Sequence, residues 1–159
     1  MNIDPSSYNQ IRRCAMDYLA RREHASLELK NKLLRKGFME DIIDEVLYKL
    51  TIDKLLSDER FAESYIRYRT KKGFGPIKIK QELQQRGINS ELTSEQLGNN
   101  DDFWVTQVRH AHTKKFRSNL PQNNKELAKQ MLFLQNRGFT SSQIRTMFDE
   151  LSKISDFKK

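Results

Sequence analysis

The chain has 159 residues and is basic, with 29 Lys and Arg against 21 Asp and Glu. Hydrophobic residues make up 36% and charged residues 31% of it, which favours small helical units with much polar surface over one thick core. No apolar run is long enough to cross a membrane, and the first residues lack the pattern of a secretion signal. The single cysteine, Cys14, excludes an internal disulfide, so we expect a soluble cytoplasmic protein.

Three segments of the sequence share one helical pattern that ends at a glycine, namely residues 27–38, 77–88 and 128–139. Gly37, Gly87 and Gly138 each follow a basic residue and precede a large apolar one. This arrangement is typical of a helix C-terminus, because glycine adopts the left-handed cap without a Cβ penalty. Three matches at nearly constant spacing predict an internal repeat.

Each period contains one more helical pattern before the glycine helix and one after it. Apolar residues at three-and-four spacing predict first helices near 11–19, 61–68 and 103–111, and third helices near 42–50, 92–97 and 144–151. Start signals precede three of them, at Asp58-Glu59, Asn89-Ser90 and Ser141-Ser142. No segment alternates in the manner of a strand. We therefore predict an all-α fold of three tandem three-helix repeats, residues 8–52, 53–99 and 101–152, in an elongated, curved array.

The third repeat departs from the pattern of the other two. Gln130 stands where Leu29 and Ile79 stand in the earlier repeats. We expect its apolar stripe to shift to Leu127, Met131 and Leu134.

Basic residues are concentrated in two blocks that each contain one acid. From Arg67 to Arg86 seven Lys and Arg accompany Glu82, and from Arg109 to Arg137 seven accompany Glu126. The helices after the first two glycines are acidic, which disfavours their entry into the major groove of DNA. The blocks predict a surface for phosphate backbones or for an acidic protein groove, although such charges also serve simply to solvate helix faces. The predicted contact residues are Arg67, Arg69, Lys71, Lys72, Lys78, Lys80, Arg86, Lys114, Lys115, Arg117 and Lys129.

Aromatic residues near these blocks have two interpretations. Tyr65, Tyr68, Phe74, Trp104 and Phe116 have spacing that suits a helical core, and they are also suited to stacking on unpaired bases. The better stacking candidate is Phe74, because it lies in the glycine loop 73–76. This loop lacks the residues of a phosphate loop and is interpreted as a turn, with Pro76 in the first turn of the next helix.

Residues suited to catalysis or metal binding are few. We interpret His110 and His112 as exposed helix histidines rather than metal ligands, because no Cys or acid cluster accompanies them. His24 stands alone, and Cys14 lies on an apolar face as a small buried side chain. We expect no catalytic residue, metal or cofactor.

One combination of motifs in the middle of the chain is distinctive. Residues 58–62, Tyr65-Ile66, residues 72–76, Ile79, Leu83 and residues 86–88 together resemble the middle repeat of the RecX regulatory family. Residues 26–29 with 33–38 resemble that family's opening repeat, and residues 137–139 its closing one, so the resemblance covers about residues 8 to 152. Residues 54–58 depart from it, since the family often has a glycine and a paired acid there. The motif residues that we interpret as structural are Asp58, Arg60, Phe61, Gly73, Gly75, Leu83 and Gly87.

The resemblance implies a bacterial, non-enzymatic regulator of recombination, DNA repair and the SOS response. Such a protein binds the RecA filament on single-stranded DNA and inhibits its ATP hydrolysis, strand exchange and coprotease activity. The implied partners are RecA and single-stranded DNA, with double-stranded DNA as a second expectation, and we expect a monomer. The alternative is a freestanding nucleic-acid-binding protein that acts through its basic surface. A metal-dependent enzyme is the weaker third hypothesis.

Overall fold

The computed structural model describes residues 5–158, which form nine α-helices and no strand. The predicted all-α class, with three helices in each of three repeats, is confirmed. Within the same range, no helix has the length and apolar content needed to cross a membrane. The helices are α1 (Pro5–Leu19), α2 (Ser26–Arg35), α3 (Glu40–Ile52), α4 (Asp58–Lys71), α5 (Pro76–Gln85), α6 (Ser90–Leu97), α7 (Asp101–Phe116), α8 (Asn124–Asn136) and α9 (Ser141–Phe157).

The second helix of every repeat ends at the predicted glycine. The φ angles of Gly37, Gly87 and Gly138 are 87°, 80° and 95°, in the left-handed region that favours glycine. Backbone hydrogen bonds close the turns, since the amide of Ile88 donates to the carbonyl of Leu83 at 3.1 Å and Phe139 makes the equivalent bond at 3.3 Å. The C-terminal role of these glycines is therefore confirmed.

Particular residues mark the starts of α5, α6 and α9, with one correction to the prediction. Pro76 is the first residue of α5, as predicted, and the Asn89 side chain accepts from the amide of Leu92 at 2.7 Å at the start of α6. The cap of α9 is Thr140, which forms a reciprocal capping box with Gln143, and not the serine pair that follows it. The threonine hydroxyl satisfies an amide in the first turn that otherwise has no partner.

The chain divides into two compact units by its internal contacts. Unit 1 comprises Met1–Tyr65 and Leu83–Thr93, and unit 2 comprises Ile66–Glu82 and Ser94–Lys159. In unit 1 the helices α1, α2 and α3 pack together around Leu29, Leu33 and Ile43. In unit 2 the helices α7, α8 and α9 pack together, with Leu134 and Ile144 fully buried.

The expected shift of the apolar stripe in the third repeat is wrong. Gln130 keeps the buried position that Leu29 and Ile79 occupy in the earlier repeats, and only 6% of its surface is exposed. Its side-chain carbonyl lies 2.7 Å from Nε2 of His112, and its amide nitrogen donates to the carbonyl of Asn119 at 3.1 Å. A buried amide is tolerated when both of its ends are hydrogen-bonded, so a polar residue replaces an apolar one without a shift in register.

The repeat glycines also lie against the helix of the preceding repeat. A Cβ atom on Gly138 would lie 2.4 Å from Cβ of Lys78, and one on Gly75 would lie 2.5 Å from the carbonyl of Gly138. A Cβ on Gly87 would meet the side chain of Leu27 at 2.8 Å. A Cβ on Gly37, in the first repeat, would meet nothing within 4 Å among the described residues. The same glycine position thus has a second role, close backbone approach, in the second and third repeats.

The segment that departs from the family pattern has an unusual backbone. Lys54, in this segment, takes a φ of 60°, a left-handed conformation that favours glycine. For a residue with a Cβ atom this conformation costs about 1–2 kcal/mol. The departure therefore retains a turn geometry that suits glycine.

Candidate nucleic-acid interface

The excess positive charge of the chain belongs to one of its two units. The segments of unit 2 contain 17 Lys and Arg against 8 Asp and Glu, whereas those of unit 1 contain 12 against 13. Unit 2 therefore carries a net charge of about nine, which exceeds that of the whole chain. A strongly cationic unit attracts anionic polymers, and salt weakens the attraction.

Phe74 lies at the centre of a group of cations in unit 2. The guanidinium carbon of Arg69 lies 3.7 Å from the centre of its ring, that of Arg137 lies 4.7 Å away, and Nζ of Lys78 lies 5.0 Å away. Arg137 is further held by a hydrogen bond of 3.3 Å to the carbonyl of Lys72. Because the ring quadrupole attracts cations, Phe74 keeps these side chains together despite their mutual repulsion.

This arrangement changes the interpretation of the aromatic residues. With cations placed over Phe74, its ring organises them and is not an open platform for a base. Trp104 is 2% exposed and belongs to the core of unit 2, which excludes it from stacking. Tyr68, which is 55% exposed, lies 5.7 Å from Nζ of Lys72 and remains accessible.

Arg69 has an acidic partner within unit 2. Its Nε and Nη2 atoms donate to the two carboxylate oxygens of Glu82 at 2.8 and 2.6 Å, and both side chains are less than one-fifth exposed. A bidentate pair of this kind fixes the orientation of the guanidinium. Arg69 therefore neutralises the single acid of its block and supports Phe74.

Helices from the second and third repeats enclose a small cavity beside these cations. It has a volume of about 220 Å³ and is lined by Lys72, Gly73, Ala111, Lys114, Lys115, Phe133 and Arg137. Nζ of Lys115 lies 5.6 Å from the ring of Phe133, and Arg137 lies 5.2 Å from the same ring. We name Lys72, Lys114, Lys115 and Arg137 the cationic cleft. Its four positive side chains are hydrogen-bond donors of the kind that hold the oxygens of a phosphate group.

A larger cavity in the third repeat contains two more of the predicted residues. Arg117 and Lys129 line a cavity of about 770 Å³, together with Lys115. Lys115 is therefore common to both cavities. Arg117 follows the last residue of α7 and has a left-handed φ of 54°.

The remaining predicted contact residues do not line the small cavity. Arg67 and Lys71 are exposed on α4, and Nζ of Lys80 lies 3.5 Å from the hydroxyl of Ser94. Arg86 belongs to unit 1, where its guanidinium lies 4.6 Å from the ring of Tyr65. The sequence blocks thus contain residues of both units.

The motif residues of the middle repeat lie in packing and turn positions. A carboxylate oxygen of Asp58 accepts from the amide of Ser26 at 2.7 Å, which caps α2 from another repeat. Arg60 pairs with Glu23 at 2.9 Å, and Phe61 is 4% exposed. Leu83 is fully buried, Gly73 has a φ of 87°, and Gly75 and Gly87 lie in the close approaches described above. The capping of α2 by Asp58 adds a role that its position at the start of α4 did not indicate.

The histidines require a correction. His110 is exposed, as predicted, but His112 is fully buried between the rings of Phe116 and Phe148, at 5.2 and 5.5 Å. His24 is 1% exposed, with Nδ1 3.0 Å from the carbonyl of Arg22. In residues 5–158 no three His, Cys, Asp or Glu side chains are grouped as metal ligands.

Arg137 is the member of the cationic cleft that the predicted contact residues do not include. It belongs to the second basic block, and its place before Gly138 is typical of a helix end. Lys36 and Arg86 hold the same place in the other repeats. The signal that could have identified it is the combination of an Arg with Phe133 four positions earlier, where both other repeats lack an aromatic residue.

The fold and this surface together define an all-helical repeat protein with one strongly cationic unit. The chain belongs to the RecX family. It matches the family models of the first, second and third three-helix domains of RecX over residues 12–50, 57–97 and 105–147.

Curated relatives support the same membership over most of the chain. The protein is 39% identical over 134 residues to the regulatory protein RecX of Pseudomonas entomophila, a match that covers 84% of this chain and 86% of the relative. It is 39% identical to the RecX of Halorhodospira halophila, covering 85% of this chain and 84% of the relative. The Pseudomonas tolaasii protein is 41% identical, with 84% and 86% covered.

Two solved structures have a similar fold. The crystal structure of RecX from Lactobacillus salivarius gives a TM-score of 0.79 at 24% identity and covers 92% of this chain and 97% of its own. A second crystal structure of a regulatory protein RecX gives 0.79 at 23% identity, with 90% of this chain and 73% of the other covered. At this identity the likeness concerns the fold.

Proposed function

We propose that this protein is a non-enzymatic cytoplasmic regulator that binds the RecA filament on single-stranded DNA. In this proposal it inhibits the filament's ATP hydrolysis, strand exchange and coprotease activity, and so modulates recombination and DNA repair. Membership of the RecX family supports the regulatory role. The observation that carries the proposed mode of binding is the concentration of positive charge in unit 2, around the cationic cleft.

The cationic cleft suits the phosphates of a strand better than its bases. Lys and Arg contribute donors without acceptors, and phosphate oxygens accept from them without regard to sequence. A regulator that acts on filaments of any sequence needs no base recognition. Phe74 and Phe133 hold the cations in place, which lowers the entropy cost of ordering them on binding.

Inhibition follows from binding to a repeating target without any chemical step. A filament presents many equivalent protein subunits and phosphates, so a protein that contacts more than one of them gains avidity. When such a protein binds one filament conformation better than another, it shifts the population toward that conformation. ATP turnover and strand exchange require cycling between conformations, and both are therefore slowed.

The test is reversal of charge in the cationic cleft. We expect replacement of Lys72, Lys114 and Lys115 together by Glu to raise the concentration needed for half-inhibition of RecA ATP hydrolysis on single-stranded DNA by about tenfold or more. The matched control replaces three exposed basic residues of unit 1 by Glu, namely Arg13, Arg21 and Arg35. Circular dichroism checks that both variants keep their helicity. Equal inhibition by the cleft variant and the control would contradict the proposed mode of binding.

A freestanding nucleic-acid-binding protein is the second candidate, and the same charge asymmetry favours it. Such a protein would bind labelled single-stranded or duplex DNA with the same affinity whether or not RecA is present. A defined footprint on naked duplex DNA, together with no effect on RecA ATP hydrolysis, would favour this candidate over the first.

A further inference from the structure

The larger cavity lies entirely in the third repeat and has a built polar lining. Its volume of about 770 Å³ is within the range of small-ligand sites. The end of α7, the loop that follows, the first turns of α8 and Ser155 of α9 supply its walls. The residues at its lining are Lys115, Phe116, Arg117, Ser118, Asn119, Leu120, Gln122, Glu126, Lys129, Gln130 and Ser155.

The loop at the rim of this cavity is held in one shape. Arg117 and Ser118 are successive left-handed residues, with φ of 54° and 62°. The amide of Asn119 donates to the carbonyl of Phe116 at 3.0 Å, and the carbonyl of Asn119 accepts from the buried side chain of Gln130 at 3.1 Å. The loop is thus tied at its centre to the core of the repeat. A preformed wall loses little entropy when a ligand binds.

The hydrogen bonds between the loop, Gln130 and His112 also fix the orientation of these two side chains. Because the Gln130 nitrogen donates to Asn119, its oxygen faces His112, so Nε2 of His112 carries the hydrogen and donates. The loop, α8 and α7 are thereby joined by one chain of bonds. Arg117, in the loop, and Lys129, on α8, both line the cavity next to residues of this chain of bonds.

The charge of the lining identifies the class of ligand. Three lining side chains, those of Lys115, Arg117 and Lys129, are cationic. Glu126 is the acid among the described lining residues, and its carboxylate already accepts from the amide of Gln122 at 2.7 Å. Ser, Asn and Gln side chains complete the set of hydrogen-bond donors. Several cations with neutral donors suit an anion with several oxygens, and phosphate is the biological anion of that kind.

We infer that this cavity is a second phosphate-binding site, in which Arg117 and Lys129 contact the phosphate oxygens. Because Lys115 lines both cavities, one strand passes from the cationic cleft over Lys115 into this site. The assignment of this phosphate to a DNA strand rests on the proposed function. The phosphate chemistry of the cavity does not depend on it.

The experiment compares two charge-matched double variants. Arg117→Gln with Lys129→Gln removes two of the three cations that line the cavity. Lys125→Gln with Lys153→Gln removes two exposed lysines of α8 and α9 that do not line it. The probes are a fluorescein-labelled oligothymidylate, measured by anisotropy over a range of salt concentrations, and inorganic pyrophosphate, measured by amide chemical shifts of the cavity loop.

For a strand, we expect the cavity variant to lose about tenfold or more in oligothymidylate affinity. We also expect a weaker dependence of binding on salt. The slope of the logarithm of the binding constant against the logarithm of salt concentration should become shallower by about 1.4, since each phosphate contact on a single strand contributes about 0.7. The control variant keeps its affinity apart from a small general effect of charge. This result would support the site and the path of the strand.

Two other results have defined meanings. If the cavity variant loses only pyrophosphate binding, the site takes a small phosphorylated ligand, and the phosphate chemistry is still supported. If both probes bind the cavity variant as they bind the control, the inference is overturned. RecA inhibition by the Lys72, Lys114 and Lys115 variant is measured in a separate experiment. The proposed function and the proposed phosphate site can therefore be refuted independently of each other.

Discussion

Replacing Gly138 by Ala should destabilise this protein much more than replacing Gly37 by Ala, although the two glycines hold the same position in their repeats. Both have a left-handed backbone, for which alanine costs about 1–2 kcal/mol. Gly37 has open space around the missing Cβ, so the variant pays only this cost. Gly138 lies against the helix of the preceding repeat, and there the added methyl group meets backbone.

The additional cost at Gly138 follows from the distances. The new Cβ would lie 2.4 Å from Cβ and 2.6 Å from the amide nitrogen of Lys78, well inside the ordinary contact distance of about 3.5–4.0 Å. Relief of such overpacking costs about 1–3 kcal/mol. Movement also lengthens the bonds that the amides of Gly75 and Ile77 make to this turn, at 2.8 and 2.9 Å. We expect Gly138→Ala to cost about 2–4 kcal/mol more than Gly37→Ala.

The assay is urea denaturation followed by two signals. Trp104, the single tryptophan, is buried in unit 2 and its fluorescence reports unfolding there, whereas far-UV circular dichroism reports all helices. Gly75→Ala serves as a further variant, because its cost is steric alone. A Gly138→Ala protein within about 0.5 kcal/mol of the Gly37→Ala protein would refute the argument from close approach.

Two further predictions concern buried polar groups. Gln130→Leu restores the apolar residue of the other repeats but leaves His112 buried without its partner, so it should lower the free energy of unfolding by about 1–3 kcal/mol. His112→Phe should lower it by a similar amount. In urea denaturation, the loss of stability in the double variant should be smaller by about 1–2 kcal/mol than the sum of the losses in the two single variants. Additive losses would show that the bond does not couple the two residues. Burial lowers the pKa of His24, although its bond to a backbone carbonyl opposes this effect. The unfolded chain therefore binds a proton more readily, and the free energy of unfolding should fall as the pH drops below about 6.5 toward the lowered pKa of His24. His24→Gln should remove this part of the pH dependence, whereas the exposed control His110→Gln should retain it.

The helices and their repeat were predictable because the signals are local. Apolar spacing, glycine at the helix end and Pro76 at a helix start all lie within a few residues of the structure that they determine. The same local combination in residues 58–88 was enough to indicate the family. The predicted basic surface also follows from local composition, and it includes Lys72, Lys114 and Lys115 of the cationic cleft.

The errors arose where distant residues decide the outcome. A glutamine on an apolar face predicts a shifted stripe, but His112 supplies a partner for Gln130 and the register is kept. His112 itself was expected to be exposed, because nothing near it in sequence indicates that α8 and α9 cover it. Phe74 is the better stacking candidate by its sequence context, but residues from other turns place cations over its ring.

The sequence by itself determined the helical class, the number of repeats and the helix ends, since each depends on interactions between neighbours along the chain. Only the tertiary structure decided which cations share a cavity, why Gly138 differs from Gly37, and that Arg137 belongs to the cationic cleft. Those features join residues up to 65 positions apart, as in the bond between Arg137 and Lys72. Their physical cause is the packing of one repeat on the next, which local periodicity does not encode.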